Sequence, residues 1–297
     1  MFFPTAGIEC SPLLPFCAAL GVSFFTSMGG VSGAFLLLPF QMSVLGYTNP
    51  SVSATNQFFN VLACPAGVWR YWREGRLLWP LALVIAAGTL PGVFIGALIR
   101  IHLLPDPKTF KIFAGLVLLY IGLRMLRDLW RARRAGQAAV KNPSSGTSIC
   151  RILSWNRHHL LFGYEEQEYR VSCKGLALLS LVVGLVGGAY GIGGGAIMAP
   201  FLVSMLGLPV HAVAGAALSA TFLTSVAGVV FYSLLAPLHS GLTVAPDWRL
   251  GLLLGLGGMC GMYLGARCQK FVPARYIKYM LAAILLFTAW RYLGQAL

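Results

Sequence analysis

The chain has 297 residues, of which 58% are hydrophobic and only 10% are charged. This composition excludes a soluble globular domain. It predicts an all-α polytopic membrane protein, because several apolar runs are about 20 residues long, enough to cross a hydrocarbon layer about 30 Å thick. The net charge of +14 does not indicate a nucleic-acid partner, since the cations lie between apolar segments and in one loop rather than in a separate basic domain.

Taken in chain order, the sequence predicts the same set of elements twice: an apolar block broken by glycines, then three membrane-spanning helices. The elements are residues 12–46, 50–69, 77–99 and 108–127 in the first half, and 175–207, 209–235, 248–266 and 276–294 in the second. Each broken block is too long for one crossing, because residues 12–46 as a single helix would extend about 50 Å. We therefore expect each block to form a hairpin of two half-helices that meet at the glycines.

The two glycine breaks occupy corresponding positions of a duplication. Aligning Pro39 with Pro200 also aligns Gly30 with Gly191 and keeps further glycines in register. Hairpins that enter and leave on one side, each followed by three crossings, make the two halves inverted repeats. That topology puts seventeen of the 22 Lys and Arg on the inside, against fifteen for parallel repeats, so the positive-inside rule slightly favours inversion.

The domain organisation follows from these elements. We expect a first transmembrane repeat at residues 1–127, a basic linker at 128–173 and a second transmembrane repeat at 174–297. The linker is the only long polar segment, and its Lys and Arg residues predict that it faces the cytoplasm from a plasma (inner) membrane that the chain crosses several times. Its stretch from Trp155 to Phe162 is predicted to lie on the membrane surface.

All eight acidic residues fall in termini, loops or helix ends, so no carboxylate is predicted near the middle of the membrane. This argues against a cation transporter and against a relay of buried carboxylates, because a buried cation needs negative charge or a cage of oxygen ligands. The seven cysteines form no Cys-x-x-Cys pair and the five histidines no His-x-x-His pair, so we expect neither a metal nor a cofactor.

What the middle of the membrane does offer is neutral donors. Unwound backbone persists at that depth only if it is buried in protein or lines a cavity, and the free N–H groups at the start of a half-helix favour an anion. The helix after each hairpin would add amide donors in the first half and hydroxyl donors, Ser225 among them, in the second, with Asn60 aligned to Thr221. The predicted substrate-binding residues are Gly29, Gly30, Ser32, Gly33, Asn56, Gln57, Asn60, Gly191, Gly193, Gly194, Gly195, Ser219, Thr221 and Thr224.

Other interpretations of these residues stay open at this point. Glycine can serve close helix packing, and Ser or Thr can bond back to a carbonyl one turn earlier. The Gly-x-x-x-Gly faces, with Gly92 and Gly96 among them, permit either a homodimer or packing within one chain. Gly30-Val-Ser-Gly33 also looks like the active-site element of rhomboid intramembrane proteases, but His211, the only candidate base in a span, lies at that span's edge. We therefore expect no enzymatic activity.

The string from Gly191 to Pro200, Gly-Ile-Gly-Gly-Gly-Ala-Ile-Met-Ala-Pro, preceded by Glu168-Tyr-Arg-Val-Ser172, resembles the sulfite exporter TauE/SafE family of bacterial and archaeal transporters. The duplicated layout extends this resemblance over nearly the whole chain. The first half departs from the string, with Ser32 where a glycine would stand. The resemblance implies transport of small sulfur-containing anions such as sulfite, thiosulfate or sulfonates.

These observations together predict a secondary transporter of sulfite or an organosulfonate, with thiosulfate as a further substrate, that exposes one central site to each side in turn. Because no buried acid is predicted, a co-transported proton would travel on the substrate itself as bisulfite. The alternatives left open are an anion channel for the same solutes, a transporter of another solute class such as a metal cation, and, remotely, an intramembrane serine protease.

Overall fold

The computed structural model describes residues 1–28, 31–134, 150–164, 167–239, 241–268 and 274–296, and helices dominate it. The helices are α1 (Leu13–Met28), α2 (Ala34–Ser43), α3 (Ser51–Arg73), α4 (Trp79–His102), α5 (Pro107–Arg134), α6 (Cys173–Tyr190), α7 (Met198–Leu206), α8 (Val210–Leu235), α9 (Trp248–Cys268) and α10 (Ala274–Ala296). Among the described residues, five of them, α4, α5, α6, α8 and α9, are long and apolar enough to cross a membrane. The predicted all-α membrane fold is confirmed.

Both apolar blocks break at their glycines, as predicted. The first break separates α1 from α2, and we call its described residues, 31–33, elbow 1; Gly29 and Gly30 lie outside the described residues. The second break, residues 191–197 between α6 and α7, is elbow 2. The two arms are unequal in both blocks, with 16 and 10 residues in the first and 18 and 9 in the second. An 18-residue helix is about 27 Å long, so α6 is long enough to cross by itself, and the enter-and-leave topology of the hairpins stays a prediction.

The two halves pack on each other reciprocally. Helix α1 packs against α9 and α6 against α4, while α3 contacts α9 and α8 contacts α4. Helices α5 and α10 pack together, and so do α3 and α8. If α1–α5 correspond to α6–α10, each of these contacts maps onto another contact or onto itself. This is the pattern that a duplicated chain would produce; the internal repeat itself, and whether its halves are inverted or parallel, stays a prediction.

The glycine faces serve this packing within one chain. A Cβ atom added at Gly92 of α4 would collide with the backbone of α6 at Leu181, and one added at Gly184 of α6 would collide with α4 at Thr89. In the same way, Gly261 of α9 lies directly on the Leu20 carbonyl of α1. Lipid tails are as apolar as the helices, so no hydrophobic effect drives membrane helices together. Close packing of their backbones, as seen here, stabilises their association instead.

Short strands precede the broken block of each half. Strands β1 (Phe2–Phe3) and β2 (Ile8–Glu9) form an antiparallel pair before α1, and β3 (Arg151–Trp155), β4 (His159–Tyr164) and β5 (Gln167–Ser172) form an antiparallel sheet before α6. The sequence analysis did not predict this sheet. In β4 every second side chain is buried, the period of two typical of a strand, but the apolar Leu161 interrupts this alternation in the sequence.

Candidate functional site

Helix α3 brings an unusual number of polar side chains into the protein interior. Six of them have no exposed surface: Ser51, Ser53, Thr55, Asn56, Gln57 and Asn60. The helix is surrounded by α2, α8 and α9, which covers these groups. Buried polar groups are destabilising unless they are hydrogen-bonded, so the partners of these side chains decide what the region can do.

Asn60 connects the two elbows. Its Oδ1 atom accepts a hydrogen bond from Ser32 Oγ in elbow 1, and its Nδ2 atom donates to the carbonyl of Ile192 in elbow 2 at 2.9 Å. Ser32 Oγ in turn accepts from the backbone N–H of Ala34, the first residue of α2, at 3.2 Å. A single buried amide thus ties both breaks to α3, which explains why an asparagine is tolerated at this depth.

Asn56, one turn earlier on α3, holds the start of α2. Its Nδ2 atom donates to the carbonyl of Ala34 at 2.9 Å, and its Oδ1 atom accepts from Gln41 Nε2 at 3.3 Å. Gly33, which immediately precedes α2, has a right-handed φ of −66°. The conformation at Gly33 therefore does not itself require glycine.

At the start of elbow 2, Gly191 ends helix α6. Gly191 has φ +83°, and the N–H groups of Gly191 and Ile192 both donate to the carbonyl of Gly187, at 2.9 and 3.0 Å. A left-handed residue just past the last helical turn is the usual way to satisfy such carbonyls, and glycine adopts it without strain. Gly193 is also left-handed, with φ +74°.

The other glycines of elbow 2 allow close packing between helices. A Cβ atom at Gly191 would collide with the backbone of Ser53 on α3, one at Gly194 with Thr89 on α4, and one at Gly195 with Ala217 on α8. The elbow is therefore wedged among three helices. Non-helical backbone at membrane depth is tolerated in such a setting because protein surrounds it.

Some of the amides predicted to be free are already bonded. The N–H of Gly194 donates to Thr224 Oγ1 at 3.1 Å, so Thr224 satisfies the elbow itself. For the N–H groups of Gly193 and Gly195, the described part of the chain supplies no hydrogen-bond acceptor. Within elbow 2, the N–H groups of Gly191, Ile192 and Gly194 are thus bonded, and those of Ala196 and Ile197, like those of Gly193 and Gly195, have no acceptor among the described residues.

The hydroxyls predicted on α8 mostly bond back within their own helix. Thr221 Oγ1 donates to Ala217 O at 2.8 Å, Thr224 Oγ1 to Ala220 O at 2.8 Å, and Ser219 Oγ to Gly215 O at 2.9 Å. Thr221 and Thr224 nevertheless contact elbow 2. Ser219 shares no hydrogen bond with either elbow among the described residues, so the structure does not bring it into the cluster.

Free polar side chains gather beside elbow 2. Both amide atoms of Gln57 and the Oγ atom of Ser225 are buried and have no hydrogen-bond partner among the described residues. Ser225 Oγ lies 2.6 Å from the position of a Cβ atom at Gly193, and the Gln57 side chain fills the space that a Cβ atom at Gly228 would occupy. Because Ser225 and Gly228 are one turn apart on α8, Gln57 and Ser225 face the same region.

Further unpartnered atoms lie on the side of elbow 1. These are Ser23 Oγ on α1, which is 2.9 Å from a Cβ position at Gly33, and Gln41 Oε1 on α2. The predicted set omitted Ser23 and Gln41. Ser225 was expected as a hydroxyl donor, and it shares a helix face with Thr221 four residues earlier.

The arrangement offers neutral hydrogen-bond donors without an acidic group. Amide, hydroxyl and backbone N–H groups can replace part of the water shell of an anion. Ser32 does not have the surroundings of a nucleophile, because its hydroxyl is bonded to an amide oxygen rather than to a base. No group of three His, Cys, Asp or Glu residues in the described ranges could hold a metal ion.

A bundle of membrane-length helices with a buried polar cluster where two broken helices meet is the architecture of a membrane transport protein. The family model of the sulfite exporter TauE/SafE matches residues 15–292, and the chain therefore belongs to that family. No solved structure matches it.

Curated relatives agree with this membership. The chain is 24% identical over 286 residues to a "Probable membrane transporter protein" of Xylella fastidiosa (strain 9a5c), covering 91% of this chain and 92% of the relative. It is 22% identical over 277 residues to the "Probable membrane transporter protein YjnA" of Bacillus subtilis (strain 168), covering 90% and 94%. The chain is thus a membrane transporter, and the resemblance seen in the glycine string is confirmed.

Proposed function

We propose that this transporter carries a small sulfur-containing oxyanion, sulfite or an organosulfonate first and thiosulfate second, by alternating access. The observation that carries the proposal is the pair of buried, unpartnered donors Gln57 and Ser225 beside the free N–H groups of Gly193 and Gly195. Unsatisfied buried donors are rare and destabilising, and an anion that accepts their hydrogen bonds removes that penalty. That the anion contains sulfur is inferred from the description of the family, the sulfite exporter TauE/SafE.

The hydrogen bonds of Asn60 would differ between the two states of alternating access, in which the site opens to one side of the membrane or to the other. It is bonded to Ser32 of elbow 1 and to Ile192 of elbow 2, so tilting one half against the other must lengthen one of these bonds. We expect an anion bound between the elbows to compensate for the bond that opens. A co-transported proton would travel on the substrate as bisulfite, since the described cluster holds no carboxylate.

The membrane placement is part of the same proposal. The repeats at 1–127 and 174–297 would be inverted in a plasma (inner) membrane, with the linker 128–173 in the cytoplasm. Labelling Cys150, which lies in the linker just before β3, with an impermeant thiol reagent from each side of sealed vesicles tests this placement. Protection of Cys150 in right-side-out vesicles and labelling after permeabilisation is the expected result; labelling from outside would overturn it.

The decisive experiment is flux in proteoliposomes made with the purified protein, with sulfite kept under anaerobic conditions. We expect saturable uptake and counterflow, which a channel would not give. Gln57→Ala and Ser225→Ala should each weaken the apparent sulfite affinity about tenfold, because a hydrogen bond to a charged group contributes about 1.5–3 kcal/mol. Ser219→Ala is the matched control, since its hydroxyl bonds within α8. Uptake of no sulfur anion, or equal effects of all three substitutions, would contradict the proposal.

A further inference from the structure

Arg100 is a buried cation in the last turn of α4. Its side chain has no exposed surface, and its guanidinium carbon lies 3.8 Å from the centre of the Phe110 ring on α5. The Nε atom donates to Ser53 Oγ at 3.3 Å and Nη1 donates to the carbonyl of Leu104. The third nitrogen, Nη2, is buried without a hydrogen-bond partner among the described residues.

No acidic side chain of the described residues forms an ion pair with this guanidinium. The ion pairs found in the described ranges join Glu74 to Arg70 and Arg76. The carboxylate of Asp247 is buried, although no buried acid was predicted; it accepts hydrogen bonds from the N–H groups of Ala6 at 3.0 Å and Leu250 at 2.9 Å and forms no ion pair with Arg100. A buried charge without a bonded counter-charge is strongly unfavourable, so the position of Arg100 calls for an anion that the described part of the chain does not provide.

The surroundings of Arg100 connect it to elbow 2. Ser53, which accepts from Arg100, donates through the same hydroxyl to the carbonyl of Ala189 at 3.2 Å. The Ser53 backbone also touches Gly191, the first residue of elbow 2. Tyr232 of α8 donates to the carbonyl of Gly188 at 3.1 Å, one residue before Ala189. The charged group and the neutral cluster therefore lie against the same end of α6.

The geometry points to a second, charged subsite for the transported oxyanion, held by Nη2 of Arg100 where α3, α4, α5 and α8 meet beside elbow 2. This inference rests on the proposed function. A guanidinium suits the role because its free N–H groups hydrogen-bond an oxyanion directly while the remaining nitrogens stay fixed by Ser53 and Leu104. The anion would be captured by charge at Arg100 and held by neutral donors at the elbow.

The structure also shows what a merely structural Arg100 would do: it bonds to the carbonyl of Leu104, just beyond the end of α4, and stacks on Phe110. That role uses Nη1 and the face of the guanidinium and gives Nη2 no hydrogen-bond partner among the described residues. The two roles differ in a measurable way. If the role of Arg100 is structural, substituting it should lower the stability of the anion-free protein. If Arg100 anchors an anion, substituting it removes an unpaired charge and should not lower that stability.

The test compares the purified wild-type protein with Arg100→Gln, Arg100→Lys and the control Arg249→Gln, an exposed arginine at the start of α9. Thermal unfolding is followed with gluconate as the only counter-anion and then with increasing sulfite or methanesulfonate under anaerobic conditions, since a ligand bound to the folded state raises the unfolding midpoint. We expect Arg100→Gln to weaken the apparent affinity at least tenfold without lowering the midpoint in gluconate, Arg100→Lys to weaken it less, and Arg249→Gln to match the wild type.

Failures of the two proposals can be told apart. If no sulfur anion stabilises the wild type, the proposed function fails and this inference with it. If the wild type and Arg100→Gln gain equally while Gln57→Ala loses affinity, only the Arg100 subsite is overturned. A lowered midpoint in gluconate with an unchanged response to sulfite would assign Arg100 a structural role. Should Arg100→Gln fail to fold, wild-type affinity in Arg100→Lys would overturn the inference.

Discussion

Both elbows interrupt a helix, but different interactions hold each elbow in place. Elbow 2 is built from backbone: its glycines take left-handed angles or lie directly on the backbone and side chains of α3, α4 and α8. Elbow 1 uses a side chain, the Ser32 hydroxyl, which links Ala34 to Asn60. The glycine positions of elbow 2 therefore have no room for a Cβ atom, whereas elbow 1 depends on hydrogen bonds that substitution weakens by degrees. The difference predicts an unequal tolerance of the two halves to mutation.

The largest expected effect is that of Gly191→Ala in elbow 2. A left-handed angle is unfavourable for alanine by about 1–2 kcal/mol, and overpacking against Ser53 adds about 1–3 kcal/mol. We expect the unfolding midpoint to fall sharply, or the protein to be lost on purification. Gly207→Ala is the control, because Gly207 has φ +65° but no atom within 4 Å of its Cβ position. Equal losses in both variants would show that packing at elbow 2 is not tight.

Asn60→Ala should have the next largest effect because it releases both elbows at once. It leaves Ser32 Oγ and the Ile192 carbonyl without their partner, and each unsatisfied buried group costs about 1–3 kcal/mol. The measurement is thermal unfolding together with a double-mutant cycle against Ser32→Ala. We expect a coupling of about 0.5–3 kcal/mol, the range found for residues in one hydrogen-bond network. Additive effects would contradict a direct bond between them.

Ser32→Gly makes elbow 1 resemble elbow 2 and should be milder. It removes the two hydrogen bonds that Ser32 Oγ makes with Asn60 and with the Ala34 N–H, a loss of about 0.5–1.5 kcal/mol each, and adds backbone freedom to the unfolded chain. We expect a small drop in the unfolding midpoint with sulfite flux retained. Abolished flux would mean that the hydroxyl contacts the substrate directly.

Gly33→Ala should have the smallest effect. Gly33 already has the helical φ of −66°, and a Cβ atom would lie 2.9 Å from the Ser23 hydroxyl, a side-chain group that can rotate away. We expect a change of about 1 kcal/mol or less in unfolding free energy, since alanine also restricts the unfolded chain. A loss as large as that of Gly191→Ala would contradict the asymmetry between the elbows.

Much of the fold could be predicted because it follows from local properties of the chain. The apolar runs set the helices, and the length of each block required a break at its glycines. The strands β3–β5 were missed because they lie in a polar segment whose period-two pattern is short. The burial of Arg100 was not predicted, since a charge tally cannot recognise that a neighbouring helix covers the last turn of α4.

The candidate site was predicted less completely than the fold. Asn60 was expected to donate to a ligand, but in the structure its amide spans the two elbows. Gly194 was expected to offer a free N–H, but Thr224 accepts it. Gln57 carries the free donors instead, and its position in the sequence does not distinguish it from Asn56 one residue earlier.

The sequence by itself determined that the chain is a helical membrane protein, that it breaks twice at glycines, and that it has the glycine string of a sulfur-anion transporter family. These features depend on hydropathy, on segment length and on the unique backbone freedom of glycine, which are properties of neighbouring residues. Only the tertiary structure decided which buried donors remain free and that Arg100 forms no ion pair within the described part of the chain. Whether a polar group is satisfied depends on which distant helix faces it, and that pairing is set by the packing of the whole bundle.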